Sequence, residues 1–329
     1  MKDPVNVLVT PAGSGMAVVA IKALLQDHNI KVVAADMNCF AAGLFLAHKG
    51  YIVPPIHSKS FFSTIEKIVR KENIQAILPC LDTFLLPFCE KGKELEKIGV
   101  KIILSPCETI RICRDKWLLY KRLHETIPMP LSAILYNSSN LKLKFPIIVK
   151  PRAGSGSKHV FIAKNEEELN MYMRKVPDPI IQEYILGEEY TVDMLVDKDH
   201  KPLVIVPRKR LEIKAGISVK GIIQMNEEII DIGRKLCNLL RFFGPVNFQV
   251  VLDERDGLPK LTEINPRIAG GMSLTIAAGV NIPLLSVYLA LGKKVAIRTV
   301  RDGLCMSRYY EEIIFTSEDA RKFNQLRRQ

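Results

Sequence analysis

The sequence predicts an α/β unit over residues 1–106 followed by an α+β unit over residues 107–329. Three observations carry this. Through the first hundred residues, short apolar strand segments alternate with helix-spaced segments, the pattern of a parallel sheet with helices on both faces. Past about residue 107 the chain turns β-rich, with Pro-flanked connections and a hairpin around Asp256 and Gly257. The length of 329 residues suits two domains, and 48% apolar with 25% charged residues is enough to bury their cores.

The elements follow in order. Residues 5–10 are a short apolar strand, and Gly13, Ser14 and Gly15 turn the chain. Residues 16–26 carry apolar side chains at helical spacing. A strand over 31–36, a helix over 61–72, a strand over 76–80, a helix over 84–98 and a strand over 101–104 complete the first unit. Ser105 and Pro106 mark a boundary. A helix is expected over 114–124, and strands over 146–150, 160–163, 180–182, 189–196 and 203–207. A helix over 227–241, a hairpin of 246–252 with 260–264, and a helix over 282–291 lead to a tail rich in Arg and Lys. No internal repeat or low-complexity segment is visible.

Composition excludes several classes. Lys plus Arg is 47 against 35 Asp plus Glu, a net charge of +12. That excess suits an anionic small-molecule substrate or a nucleic acid. The densest cluster on the body of the chain also carries Glu212, and no aromatic residues interleave with the basic ones, so no nucleic-acid partner is expected. No apolar run nears the roughly 18 residues of a membrane span. The opening Met1-Lys2-Asp3-Pro4 leads straight into a strand without the apolar region of a signal peptide. The seven cysteines are widely spaced with no Cys-x-x-Cys pair, so free buried thiols in a reducing cytoplasm are expected.

Several motifs bear chemistry. Gly13-Ser14-Gly15 with Asp36 is a partial dinucleotide fingerprint, open also to a plain tight turn. An apolar strand delivers Lys150, Pro151 stops it, and the small-residue loop Ala153, Gly154, Ser155, Gly156, Ser157 follows. With little side chain in the way, such a loop brings backbone N–H groups close to phosphate oxygens, and Lys150 adds a point charge. Asn247 and Gln249 share one strand face, as do Glu263 and Asn265. A hairpin closing symmetrically about Asp256 sets Gln249 opposite Glu263. Gln249, Glu263 and Asn265 then form an oxygen-rich cluster suited to Mg²⁺, with nucleotide phosphates completing the shell. Glu183, Tyr184 and Ile185 could offer backbone groups to an adenine edge, and Glu189 could accept from ribose hydroxyls. Arg208, Arg210, Glu212 and Lys214 alternate on one strand face, with Lys209 on the other. Arg210 and Lys214 are the candidates for a cationic wall facing phosphates or an acidic substrate. The segment 268–273 offers backbone donors at an expected helix start, where a substrate carboxylate could bind.

Four of these segments, in this order, resemble the ATP-grasp superfamily, most nearly the carbamoyl-phosphate synthase large-subunit-like members. They are Arg114-Asp115-Lys116, the Lys150 loop, Gln182 through Glu189, and Gln249 with Glu263, Asn265 and Arg267. The resemblance covers nearly the whole chain. It implies a Rossmann-like pre-ATP-grasp domain over 1–106. An ATP-grasp fold would follow over 107–329, with a lid subdomain near 120–190 and a C-terminal subdomain near 191–329 clamping ATP. It implies that Lys116 and Lys150 bind phosphates, that residues 153–158 close over them, that 183–185 hold adenine and that Glu189 holds ribose. Gln249, Glu263 and Asn265 would bind one or two Mg²⁺, with Mn²⁺ an admissible substitute, and Arg267 would steady the transferring phosphoryl group. The implied activity is ATP-dependent ligation of a carboxylate to an amine through an acyl phosphate, with small-molecule partners and, by analogy alone, a homodimer. The alternative is an inactive ATP-binding sensor or scaffold. Three departures stand out. His159 stands where Gly often follows the loop, Gln249 stands where other branches place an acid, and one ATP-grasp unit is present.

Overall fold

The fold was read from a computed structural model that describes residues 4–134, 143–154, 156, 158–214 and 216–323. The first unit runs β1 (Val5–Thr10), α1 (Gly15–Leu24), β2 (Ile30–Asp36), α2 (Ala42–Leu46), β3 (Lys49–Ile52), α3 (Phe61–Lys71), β4 (Ala76–Pro79), α4 (Asp82–Lys91), α5 (Lys93–Lys97) and β5 (Lys101–Ile102). Its strands pair in parallel in the order β3-β2-β1-β4-β5. The central strand β1 is apolar on both faces because helices cover both. Ser14 caps α1 by accepting from the Ala17 amide.

The chain continues through α6 (Cys107–Arg114), α7 (Lys116–Leu123), β6 (Ser132–Ala133), β7 (Ile147–Pro151), β8 (Phe161–Ala163), α8 (Glu166–Lys175) and β9 (Pro179–Glu183). Strands β6 to β9 form a four-stranded antiparallel sheet in the order β6-β9-β7-β8. Next come β10 (Gly187–Val196), β11 (Pro202–Lys214), β12 (Ile217–Ile223), α9 (Glu227–Leu239), β13 (Gly244–Asp253) and β14 (Pro259–Asn265). The chain then runs through α10 (Ser273–Ala277), α11 (Ile282–Ala290), β15 (Cys305–Ser307) and α12 (Ser317–Lys322). The second antiparallel sheet is six-stranded, β14-β13-β10-β11-β12-β15. Helix α9 buries Ile229, Ile232 and Leu236 in a core with Val192, Met194 and Phe248 of this sheet. Helix α11 packs against the first unit through Ile282 and Val287. Among the described residues no helix is long and apolar enough to cross a membrane.

Three differences from the sequence expectation matter for the site. The helix expected over 84–98 starts at Asp82 and breaks at Gly92 into α4 and α5. The helix expected over 114–124 is two helices, because Asp115 leaves the helical conformation and caps α7 on the Trp117 and Leu118 amides. The strand expected over 203–207 runs on to Lys214 and pairs with β12, since its charged half still makes ladder hydrogen bonds.

The cysteine expectation is corrected. Cys89 of α4 and Cys107 of α6 form a disulfide, their Cα atoms 5.6 Å apart. Helix packing brings them together, which spacing alone does not reveal. Cys80, Cys113 and Cys237 are free and buried, Cys39 is half-buried and Cys305 is exposed. Burial pushes the Cys80 thiol up to about 12.

One buried ion pair braces the six-stranded sheet. Arg208 Nε and Nη2 donate to Asp193 at 2.7 and 2.9 Å, and Thr275 Oγ1 donates to the same carboxylate at 2.5 Å. Asp193 is 0% exposed. Removing one charge strands the other, at a cost of about 3–5 kcal/mol. Asp193→Asn is therefore expected to lower the melting temperature by roughly 10 °C, at about 2–4 °C per kcal/mol for a domain of this size. A thermal melt checks this.

Candidate active site

A cleft of about 330 Å³ opens between the four-stranded and six-stranded sheets. Strand β7 places Lys150 in its wall, where the ammonium Nζ donates to Gln182 Oε1 at 2.7 Å. Gln182 Nε2 donates to Ser132 Oγ at 2.8 Å, and that hydroxyl donates to the Pro130 carbonyl at 3.0 Å. This chain fixes the buried amine while leaving two of its N–H donors for a ligand. Burial pulls the Lys150 pKa down to about 8, and the nearby Lys116 charge pulls the same way against Glu263.

Lys116 opens α7 and lines the same cleft, its Nζ donating to the Gly154 carbonyl at 3.3 Å. Its position is set by Asp115, which takes Arg152 Nη2 at 2.5 Å and Nε at 3.3 Å. Burial raises the Asp115 carboxyl, but the Arg152 hydrogen bond and the α7 amides outweigh it and hold the group below its usual value. Gly154 and Gly156 line the cleft, and Gly156 has φ +71°, a backbone region that suits glycine. Ser155 and Ser157 lie outside the described residues. His159 has φ +57°, so the residue that replaces the usual Gly still adopts the left-handed conformation.

The hairpin of β13 and β14 pairs Asn247 with Asn265 and Gln249 with Glu263, as the symmetric closure predicts. A bulge between Gln249 and Val250 shifts the register beyond that point. Glu263 lines the cleft, and among the described residues its carboxylate makes no hydrogen bond. The two amide oxygens beside it face guanidinium groups. Gln249 Oε1 accepts from Arg210 Nη1 at 3.3 Å, and Asn265 Oδ1 accepts from Arg267 Nη2 at 3.2 Å. Among the described residues no group of three His, Cys, Asp or Glu side chains could hold a metal alone. One unpaired carboxylate flanked by two amide oxygens still fits a hard cation whose remaining ligands are phosphate oxygens.

Arg210 ties four strands together. Besides Gln249 it donates to Glu189 Oε2 at 3.0 Å, Ser218 Oγ at 3.1 Å and the Gly216 carbonyl at 2.8 Å. Burial lowers its pKa from the usual value, with the Glu189 charge opposing. Glu189 lines the cleft.

One expected residue is corrected. Lys214 does not line the cleft. It is 68% exposed and its Nζ lies 3.3 Å from Glu212 Oε1. Register shifts between Arg210 and Glu212 and between Glu212 and Ile213 break the alternation that would have aimed it inward. Glu183 ends β9 with its amide donating to the Leu131 carbonyl at 2.8 Å and its carboxylate taken by Arg255 at 2.7 Å. Glu183, Tyr184 and Ile185 line the cleft together.

A second cleft of about 570 Å³ joins the first through Gly154, Gly156, Arg210, Gln249 and Glu263. It lies where the parallel-sheet unit meets the six-stranded sheet, with Asp82 on one side and Asn265, Arg267, Gly270 and Gly271 on the other. Gly271 is required there, because a Cβ would stand 2.6 Å from Arg208 Nη1. Arg267 Nε and Nη2 donate to the two Asp82 oxygens at 2.8 and 2.7 Å. The sequence reading missed Asp82. Its only signal is an acid two residues before an expected helix, and only the fold brings it to Arg267.

The acid of the partial dinucleotide motif is buried and serves the turn: Asp36 Oδ2 accepts from the Gly13 amide at 2.7 Å and Oδ1 from the Asn38 amide at 2.9 Å. Addition of NAD is expected to leave the melting temperature unchanged.

Comparison with known proteins agrees with this geometry. Residues 175–311 match the family model described as ATP-grasp in the biosynthetic pathway with Ter operon, and residues 7–103 match the PylC-like N-terminal domain. The ATP-grasp model matches the chain over that one segment. It is 26% identical to the carbamoyl phosphate synthase large chain of Methanobrevibacter smithii over 69% of this chain and 24% of that one. It is 25% identical to the D-alanine–D-alanine ligase of Petrotoga mobilis over 52% of this chain and 66% of that one. The chain therefore spans about a quarter of the first relative and just under two thirds of the second. Among solved structures, the biotin carboxylase domain of Hydrogenobacter thermophilus 2-oxoglutarate carboxylase, with MgADP, ADP and bicarbonate, superposes with TM-score 0.74 at 18% identity. That match covers 93% of this chain and 74% of the other. The L-amino acid ligase of Bacillus licheniformis superposes with TM-score 0.68 at 19% identity over 88% and 75%. These likenesses show a fold shared with these two proteins.

Proposed function

We propose that this ATP-grasp protein is an ATP-dependent ligase that joins a carboxylate to an amine through an acyl phosphate. The observation that carries the reading is the meeting of two clefts at Glu263. One holds Lys116 and Lys150 for phosphates, and the other holds Arg267 and the Gly270–Gly271 backbone for an anionic substrate. ATP would lie with adenine against Tyr184 and Ile185, ribose at Glu189 and phosphates under Gly154–Gly156. Glu263, Gln249 and Asn265 would hold Mg²⁺, which supplies neutralisation of the phosphate charge.

The substrate carboxylate oxygen attacks the γ-phosphorus, the O–P bond forms, and ADP leaves. The amine then attacks the acyl carbon, loses a proton, and inorganic phosphate departs. Lys116, Lys150 and Arg267 align the groups and offset the charge on the transferring phosphoryl. The loop around Gly154 and Gly156 excludes water from the acyl phosphate.

A screen of carboxylate–amine pairs with MgATP tests this. Phosphate release requiring both partners supports it. A rise in melting temperature with MgATP and no turnover on any pair would favour the sensor reading instead.

A further inference from the structure

The acid that the sequence did not single out controls the arginine that it did. Asp82 is the first residue of α4 in the parallel-sheet unit, 185 positions from Arg267 in sequence. Both side chains are largely buried, 14% and 10% exposed. Arginine has five N–H donors in a fixed plane. Among the described residues four are engaged: Nε and one Nη2 donor with Asp82, the second Nη2 donor with Asn265 Oδ1, and one Nη1 donor with the Ile268 carbonyl. One Nη1 donor is left for a ligand.

Asp82 is itself held. Arg114 Nη1, at the end of α6, donates to the Asp82 carbonyl at 3.0 Å. Arg111 pairs with Glu90 at 2.8 Å, and the Cys89–Cys107 disulfide closes the far end of the same helix pair. The carboxylate also sits in the first turn of α4.

We propose that Asp82 is the positioning residue of Arg267. It holds the guanidinium by two N–H groups and directs the free Nη1 donor into the second cleft. This rests on the ligase reading for its catalytic consequence but not for its geometry.

The test uses Asp82→Asn, which keeps shape but loses the two-oxygen acceptor, and Asp82→Glu, which keeps it. Arginine Nε–H signals are recorded by proton–nitrogen NMR, with Arg267→Lys giving the assignment. The Arg267 signal should exchange slowly in the parent protein, vanish in Asp82→Asn and return in Asp82→Glu. MgADP affinity by calorimetry should stay within about twofold, because Asp82 does not line the nucleotide cleft. With a productive pair from the screen, kcat should fall about 30- to 100-fold in Asp82→Asn with KM for ATP unchanged, and recover in part in Asp82→Glu. An unchanged Arg267 signal in Asp82→Asn overturns the proposal, as does a loss of MgADP affinity that tracks a general fall in melting temperature. If no pair turns over, the ligase reading fails while the NMR result still decides whether Asp82 positions Arg267.

Discussion

Lys150→Met is expected to weaken MgATP binding by about 100-fold, measured by calorimetry. The amine is buried, anchored by Gln182 at 2.7 Å and has donors free for phosphate oxygens. A charge-assisted hydrogen bond is worth about 1.5–3 kcal/mol, and about 1.4 kcal/mol is tenfold in affinity. Methionine keeps much of the volume, so the loss reports the charge and not a collapsed wall.

The same residue gives the nucleotide affinity a pH dependence with a defined sign. In the free protein the Lys150 pKa is pulled down to about 8, so part of the population is neutral near that pH. Phosphate oxygens favour the ammonium, so binding raises the pKa and takes up a proton. Affinity should therefore fall as pH rises above about 8. Calorimetry in buffers of different ionisation enthalpy should show proton uptake in the parent protein and a smaller uptake in Lys150→Met. Proton release on binding would contradict this.

Glu263→Gln is expected to reduce phosphate release by at least about 1000-fold while the fold survives. Glu263 is a carboxylate in the cleft wall without a hydrogen-bond partner among the described residues, and it lies where the two clefts meet. Glutamine keeps the shape and removes the negative charge that a hard cation needs. Phosphoryl transfer depends heavily on electrostatic stabilisation of this kind, since charge spreads over the transferring group as ADP leaves. A melting temperature within a few degrees of the parent protein, with turnover lost, is the expected pair of results. Retained turnover would remove Glu263 from the metal-binding role.

Much of this site was legible because its residues sit on regular strands. Alternation put Gln249 opposite Glu263, and the structure pairs them. Lys150 was legible for a similar reason, as the charged end of an apolar strand before a small-residue loop. Lys214 was misread because the same alternation rule fails across the two irregularities after Arg210. A bulge leaves no mark in the pattern of charges. Asp82 and Ser132 were invisible for another reason. Each acts through a partner from a distant part of the chain, and only packing makes such partners neighbours. The Cys89–Cys107 pairing belongs with them.

The central claim is that a carboxylate of the substrate becomes an acyl phosphate before the amine displaces phosphate. The direct measurement labels both carboxylate oxygens of a productive substrate with oxygen-18 and follows the released phosphate by mass spectrometry. The account predicts one oxygen-18 atom in each phosphate, carried over when the acyl carbon–oxygen bond breaks. Phosphate released without label would contradict it.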